Sequence, residues 1–281
     1  MAEGEQRCRR GGKGDQTQDK AAAARCWRFP RDDAGRDQLE NATQLVGQMP
    51  RYLIWDFDGT LGFRHGNWSG ALVEVLQRAK PSCGVTREHF VPHLQTGFPW
   101  HDPQRKHSTG VSPDDWWDAL QPVFIRAFAG VGLTHSRAEQ LARDVRAVYL
   151  DAANWALFDD ALPALERLSR EGWTHVILSN HVPEFRQILD VLGVQPLIER
   201  IFNSAETGVE KPHPDAFRNV LDAVEAGATV WMIGDNLRAD IEGAAAAGIP
   251  AVLVRKHHPA ASFQCDSLER LSSIVSRSAI D

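Results

Sequence analysis

Cysteine is scarce in this chain of 281 residues. There are four, at positions 8, 26, 83 and 265, and no two are spaced as CxxC. That pattern excludes a disulfide framework and a zinc site built on paired cysteines, and it fits free thiols in a reducing compartment. Long apolar runs are missing too. The longest strongly apolar stretch, AAAAGIPAVLV at 244–254, has 11 residues, against about 20 for a helix that crosses a bilayer. Positive charge is not in excess: 31 basic residues stand against 37 acidic ones, a formal net charge of -6. An acidic balance disfavours nucleic acid or an anionic membrane surface as the main partner. Also absent are GxxxxGK[ST], a strand-linked GxGxxG and HExxH, so a P-loop, a dinucleotide site and a zincin have no support.

What is present is ordinary globular composition, 43% hydrophobic and 24% charged. At about 150 residues per domain, the length suggests two domains or one with a large insertion. Residues 1–48 stand apart. They hold 9 Lys/Arg and 8 Asp/Glu with no helical or strand period, and are expected to form a disordered tail. The tail has no apolar core of a secretory signal, and its acids argue against an organellar transit peptide. Met49 sits directly before the first apolar run, which fits an over-long gene start.

From residue 50 the pattern sharpens. Arg51–Phe57 reads as a buried strand ending in polar punctuation. Thr174–Leu178, Arg200–Asn203, Val230–Ile233 and Ala251–Val254 are further short apolar runs. Amphipathic helices are expected over Leu162–Ser169, Phe185–Leu192 and Pro214–Val224, the last opening with proline at its first position. Strands alternating with helices imply an α/β fold with a mostly parallel, Rossmann-like sheet covered on both faces. The stretch 69–157 breaks the alternation and reads as helices only. Leu72, Val75, Leu76 and Ala79 follow a helical period. Ser112-Pro113-Asp114-Asp115 is a helix start, and Ser136-Arg137-Ala138-Glu139 a capping box. The expected organisation is therefore a core of 49–68 and 158–281 with an all-helical cap, 69–157, inserted after the first strand.

Four features carry chemistry. Asp56-Phe57-Asp58-Gly59-Thr60-Leu61 lies at the C-terminal end of the first strand, where ligands bind in open α/β sheets. Two carboxylates two residues apart, before a glycine turn, can serve one metal ion, or one can attack while the other handles the proton. Ser179 and Asn180 follow the second strand, where a hydroxyl and an amide can hold phosphate oxygens; Ser and Asn also favour such ends for local turn reasons. Lys211 precedes a helix, a place the dipole disfavours unless an anion lies between; a solvated lysine is the alternative. Gly234-Asp235-Asn236 follows the fourth strand and Asp240 comes five residues after Asp235, a pair of carboxylates suited to a hard cation or to charge compensation at a helix N-terminus.

This ordered set resembles the haloacid dehalogenase-like (HAD) hydrolase superfamily over residues 50 to about 256, with an insertion similar to the helical C1 cap class. The resemblance implies that Asp56 is the nucleophile and Asp58 the general acid–base. It places Ser179 and Lys211 at the phosphate-stabilising positions, with Gly59, Thr60 and Asn180 beside the substrate. It implies magnesium as cofactor, held by Asp56, Asp235, Asp240 and the backbone carbonyl of Asp58. KPHP at 211–214 stands where many relatives read KPDP. The implied activity is a magnesium-dependent phosphatase acting on a small phosphorylated metabolite in the cytoplasm, through an aspartyl phosphate.

Three other readings remain. A 2-haloacid dehalogenase shares the architecture and needs no metal, but such relatives lack an acid at the position of Asp58. A phosphomutase differs in its product. A phospho-receiver module also uses acids, magnesium and a lysine, but as one uninterrupted domain. In the insertion, Gly97–His101 and Trp116-Trp117 are expected to be core, with His101, His107 and Arg105 the polar candidates for substrate contact. Pro92 between His89 and His93 argues against a helical metal pair, and His257-His258 read as loop residues. Oligomeric state is not legible.

Overall fold

The computed structural model describes residues 49–276, so the expected tail over 1–48, with Cys8 and Cys26, lies outside the described residues. Strand β1 (Arg51–Trp55) is apolar along its length because both of its faces are covered. Leu53 and Trp55 enter one hydrophobic cluster, while Tyr52 and Ile54 enter another on the opposite face. The short β2 (Gly62–Arg64) follows, then helices α1 (Asn67–Ala79), α2 (Pro113–Gly130), α3 (His135–Ala142) and α4 (Val145–Tyr149). The chain returns through β3 (Trp155–Leu157) and α5 (Ala161–Arg170) to β4 (Thr174–Ser179). Helix α6 (Phe185–Val191), β5 (Arg200–Asn203), α7 (Pro214–Leu221), β6 (Thr229–Gly234), β7 (Ala251–Val254) and β8 (Phe263–Cys265) complete the core.

The main sheet has the order β5-β4-β1-β6-β7-β8, and every pairing is parallel. The order reverses at β1: the next strands of the sheet go to one side and the later ones to the other. The carboxyl ends of β1, β4 and β6 therefore border the crevice of a topological switch point. Helices α5 and α6 cover the face that holds Trp55, while α7 covers the face that holds Ile54.

Two local expectations differ from what is found. The stretch 69–157 is not purely helical: β3 pairs antiparallel with β2 and forms a ribbon at the base of the helical layer. Three residues are too few for a strand period to show in the sequence. The helix expected from Ser136 starts at His135, capped by Thr134, whose hydroxyl accepts the Arg137 N–H at 3.4 Å. The start at Ser112 holds, its hydroxyl accepting the Asp115 N–H at 3.1 Å. Buried Arg64 binds the ribbon to the layer, donating to the carbonyls of Tyr149 and Val148 at 3.1 and 2.9 Å. Among the described residues, no helix is long and apolar enough to cross a membrane.

Candidate active site

Most of the chemical residues sit where a strand stops. Asp56 and Asp58 follow β1, Ser179 ends β4, and Asp235 follows β6. Lys211 comes from the loop between β5 and α7 and is buried, so the solvated alternative does not hold. Its Nζ donates to Asp56 Oδ1 at 2.7 Å and to Asp240 Oδ1 at 2.6 Å. Burial alone would lower the Lys211 pKa, but Asp240 and Asp56 outweigh it and hold the ammonium protonated. Ser179 Oγ also donates to Asp56 Oδ1, at 3.4 Å.

Asp240 has no solvent exposure and both of its oxygens are engaged: Oδ2 accepts the Asn236 N–H at 2.9 Å. Asp235 Oδ2 accepts from Lys256 Nζ at 2.6 Å. Glycine makes room for this pair. A Cβ on Gly59, whose φ is +82°, would come within 2.5 Å of Asp235 Oδ2, and one on Gly234 within 2.3 Å of Asp240 Oδ2. Asp56, Asp235 and Asp240 offer carboxylate oxygens within 4.8 Å of one another. Such a set of hard oxygen donors fits a divalent cation of the magnesium type. Asp58 points its carboxyl elsewhere in the same cavity. Burial, then the charges of Asp56 and Asp235, push its pKa up to about 8.

Of three further sequence candidates, Asn180 lines the cavity. Asn180 clamps two loops: Nδ2 donates to the Lys211 carbonyl at 3.0 Å, and Oδ1 accepts the Lys211 N–H at 2.7 Å. Gly59 and Thr60 do not line the cavity, and their N–H groups serve the Gly62 and Phe57 carbonyls. His213, the departure within KPHP, caps α7, with Nδ1 accepting the Asp215 N–H at 3.1 Å.

The cavity over Asp56 holds about 400 Å³. Its upper wall comes from the helical layer: Asn67, Trp68, Trp100, His101 and Tyr149. Phe98 and Trp117 are core as expected, whereas Trp100 and His101 face the cavity. Trp68 stacks on Tyr149 at 3.8 Å. Arg105 and His107 line a neighbouring cavity instead. Exposed Arg238, three residues after Asp235, stands at the rim of the first cavity. Trp68, Tyr149, Arg238 and His181 were not singled out in the sequence. An isolated aromatic at a helix start, or a histidine after Ser-Asn, carries no spacing signal of its own. His89 and His93 form no metal group: His89 Nδ1 accepts the Thr86 N–H, and among the described residues the acidic trio alone has metal-site spacing.

Comparison with known proteins places this geometry. The model of a family described as haloacid dehalogenase-like hydrolase matches residues 50–248. A phosphoserine phosphatase of Thermus thermophilus is 33% identical over 134 residues, 47% of this chain and 53% of that protein. The chain thus spans about half the length of that relative. A HAD hydrolase from Bacillus subtilis, crystallised with magnesium, superposes with a TM-score of 0.61 at 21% identity, over 82% of this chain and 100% of its own. A 2-haloacid dehalogenase from Pseudomonas syringae does so with a TM-score of 0.57 at 22% identity, over 82% and 99%. These two likenesses concern the fold.

Proposed function

Because this chain belongs to the haloacid dehalogenase-like hydrolases, we propose that it is a magnesium-dependent phosphatase of a small phosphate monoester. The observation that carries the reading is the second acid. Asp58 shares the cavity with Asp56, Ser179 and Lys211. An alkoxide leaving from phosphorus needs a proton, whereas a halide leaving from carbon does not. A dehalogenase has no use for a carboxyl at that place, and a phosphatase does.

Asp56 and Asp235, with the backbone carbonyl of Asp58, would hold magnesium. Bound there, the ion offsets the repulsion between a phosphate dianion and a carboxylate nucleophile. Lys211, fixed between Asp56 and Asp240, presents its charge to the transferring phosphoryl group. Asp240 serves chiefly to aim that ammonium. The Ser179 hydroxyl donates to a phosphoryl oxygen. A carboxylate oxygen of Asp56 attacks phosphorus as the bond to the leaving oxygen breaks, and Asp58 protonates that oxygen. Asp58 then takes a proton from the water that cleaves the aspartyl phosphate. The helical layer over 69–157 acts as the cap; its Trp100 and His101, with Trp68 from the start of α1, meet the leaving group. The two described cysteines are free thiols, in keeping with a cytoplasmic enzyme.

The test is phosphate release from a panel of sugar phosphates, nucleotides and short phosphorylated acids, with magnesium and after chelation. Release that needs magnesium and disappears in Asp56→Asn supports the reading. Metal-independent halide release from 2-haloacids, with no phosphate released from any ester, would replace it with dehalogenation.

A further inference from the structure

His181 is a polar residue in an apolar box. Only 2% of it is exposed. Phe185 stacks on its ring at 4.1 Å, Trp155 lies at 5.3 Å, and Phe57 meets it edge-on at 6.0 Å. Among the described residues, neither ring nitrogen has a hydrogen-bond partner of good geometry. A buried polar atom left unpaired is destabilising, and phenylalanine would fill the same box without that penalty. The Val182 backbone lies beside the imidazole, and so does one acidic side chain, that of Asp58. Its Nε2 lies 3.6 Å from Asp58 Oδ2, just beyond hydrogen-bonding distance, and it lines the cavity over Asp56. Catalytic hydrogen bonds are often long in free enzymes and tighten when substrate binds.

We propose that His181 is a positioning residue: it holds Asp58 through a hydrogen bond at Oδ2, leaving the other oxygen to exchange its proton with leaving group and water. The inference rests on the reading of Asp58 as acid–base. A neutral imidazole suits a partner that alternates between two protonation states. With the hydrogen on Nε2 it donates to the carboxylate, and with the hydrogen on Nδ1 its Nε2 accepts from the carboxylic acid. The apolar box of Trp155 and Phe185 favours the uncharged ring. A lysine or arginine here would hold Asp58 ionised and remove the acid. An apolar residue would leave the carboxyl free to turn.

Two variants separate orientation from packing. His181→Phe keeps the aromatic box and removes both nitrogens, while His181→Gln keeps a donor and an acceptor. Each is measured on the best alkyl phosphate of the panel and on 4-nitrophenyl phosphate, whose leaving group hardly needs an acid. His181→Phe is expected to lose about 10²-fold in kcat on the alkyl ester, as a misplaced catalytic group does, with KM nearly unchanged. On the nitrophenyl ester it should release a burst of nitrophenol and then turn over slowly. His181→Gln should recover most of the loss. Equal losses on both esters without a burst, or no loss at all, would overturn the proposal. A second measurement needs no substrate: the ring 15N resonances of His181 in the full chain, compared between wild type and Asp58→Asn. The Nε2 resonance is expected to move, and an unmoved resonance overturns the contact. If wild type releases no phosphate from any ester, the phosphatase reading fails, and the resonance comparison alone decides the positioning.

Discussion

Asp58 can be tested through what its proton does. A nitrophenolate leaves without help, but hydrolysis of the aspartyl phosphate still needs a base. Asp58→Asn should therefore give a nitrophenol burst followed by turnover slowed by about 10²–10⁴-fold, with one phosphoryl group trapped on Asp56. Rapid-mixing absorbance and intact mass check it, and wild-type turnover of alkyl phosphates by the variant would remove the acid–base role. His175, away from the site, reports on pH. Trp55 Nε1 donates to its Nδ1 at 3.0 Å, and its Nε2 faces the Leu165 carbonyl at 2.9 Å. Burial moves its pKa from 6.5 down to about 4. Between those values the unfolded chain binds a proton that the folded chain refuses, so stability falls as pH drops from 6.5 towards 4. The loss is about 3 kcal/mol at 1.36 kcal/mol per pH unit. Urea unfolding of wild type and His175→Gln at several pH values should show a shallower decline in the variant.

Between the elements, Glu184 joins layer and core. It sits just before α6, nearly buried, and accepts from Trp117 Nε1 at 3.1 Å and from Arg146 Nε at 2.9 Å. Trp117 lies on α2 and Arg146 on α4. Glu184→Ala leaves the indole N–H buried without an acceptor and should cost about 2 kcal/mol. The melting point should drop by about 4–8 °C, and an unchanged value would show that the contact contributes nothing. Neither this bridge nor the β2–β3 ribbon was legible in the sequence. Glu184 lies 67 residues from Trp117, and no local period links them. The strand ends were legible for the opposite reason. An apolar run such as Arg51–Trp55 has to stop, and Asp56 is the residue at which it stops. The same logic explains Ser179 and Asp235. It fails for His181, whose burial depends on rings from β3, α6 and the loop after β1, all packed in three dimensions. Asn180 shows a different gap. It lines the cavity, but its amide is turned to the Lys211 backbone, which residue type and position do not disclose.

At the scale of the whole molecule, the absence of apolar periodicity over residues 1–48 predicts that removing them leaves folding and turnover nearly intact. Melting temperatures of the two chains check this, at about 2–4 °C per kcal/mol for a protein of this size, and a drop of several degrees would mean that the segment packs on the rest. The fold also carries a tension within its crevice. Asp56, Asp58, Asp235 and Asp240 share one cavity around Lys211, and burial and mutual repulsion raise both Asp58 and Asp235. In the unfolded chain these carboxyls separate and the repulsion vanishes. A glycine at 59 and another at 234 keep the acids close when larger residues would have pushed them apart. The native state is thus held below the stability its core could support, as sites arranged for activity often are. Asp235→Asn should melt at or above wild type in chelator, while losing activity. Magnesium should raise the melting point of wild type by mass action and leave that of the variant nearly unmoved. Thermal resistance would then act as a gauge of how much of the protein is loaded, so that a starved enzyme is also a more fragile one.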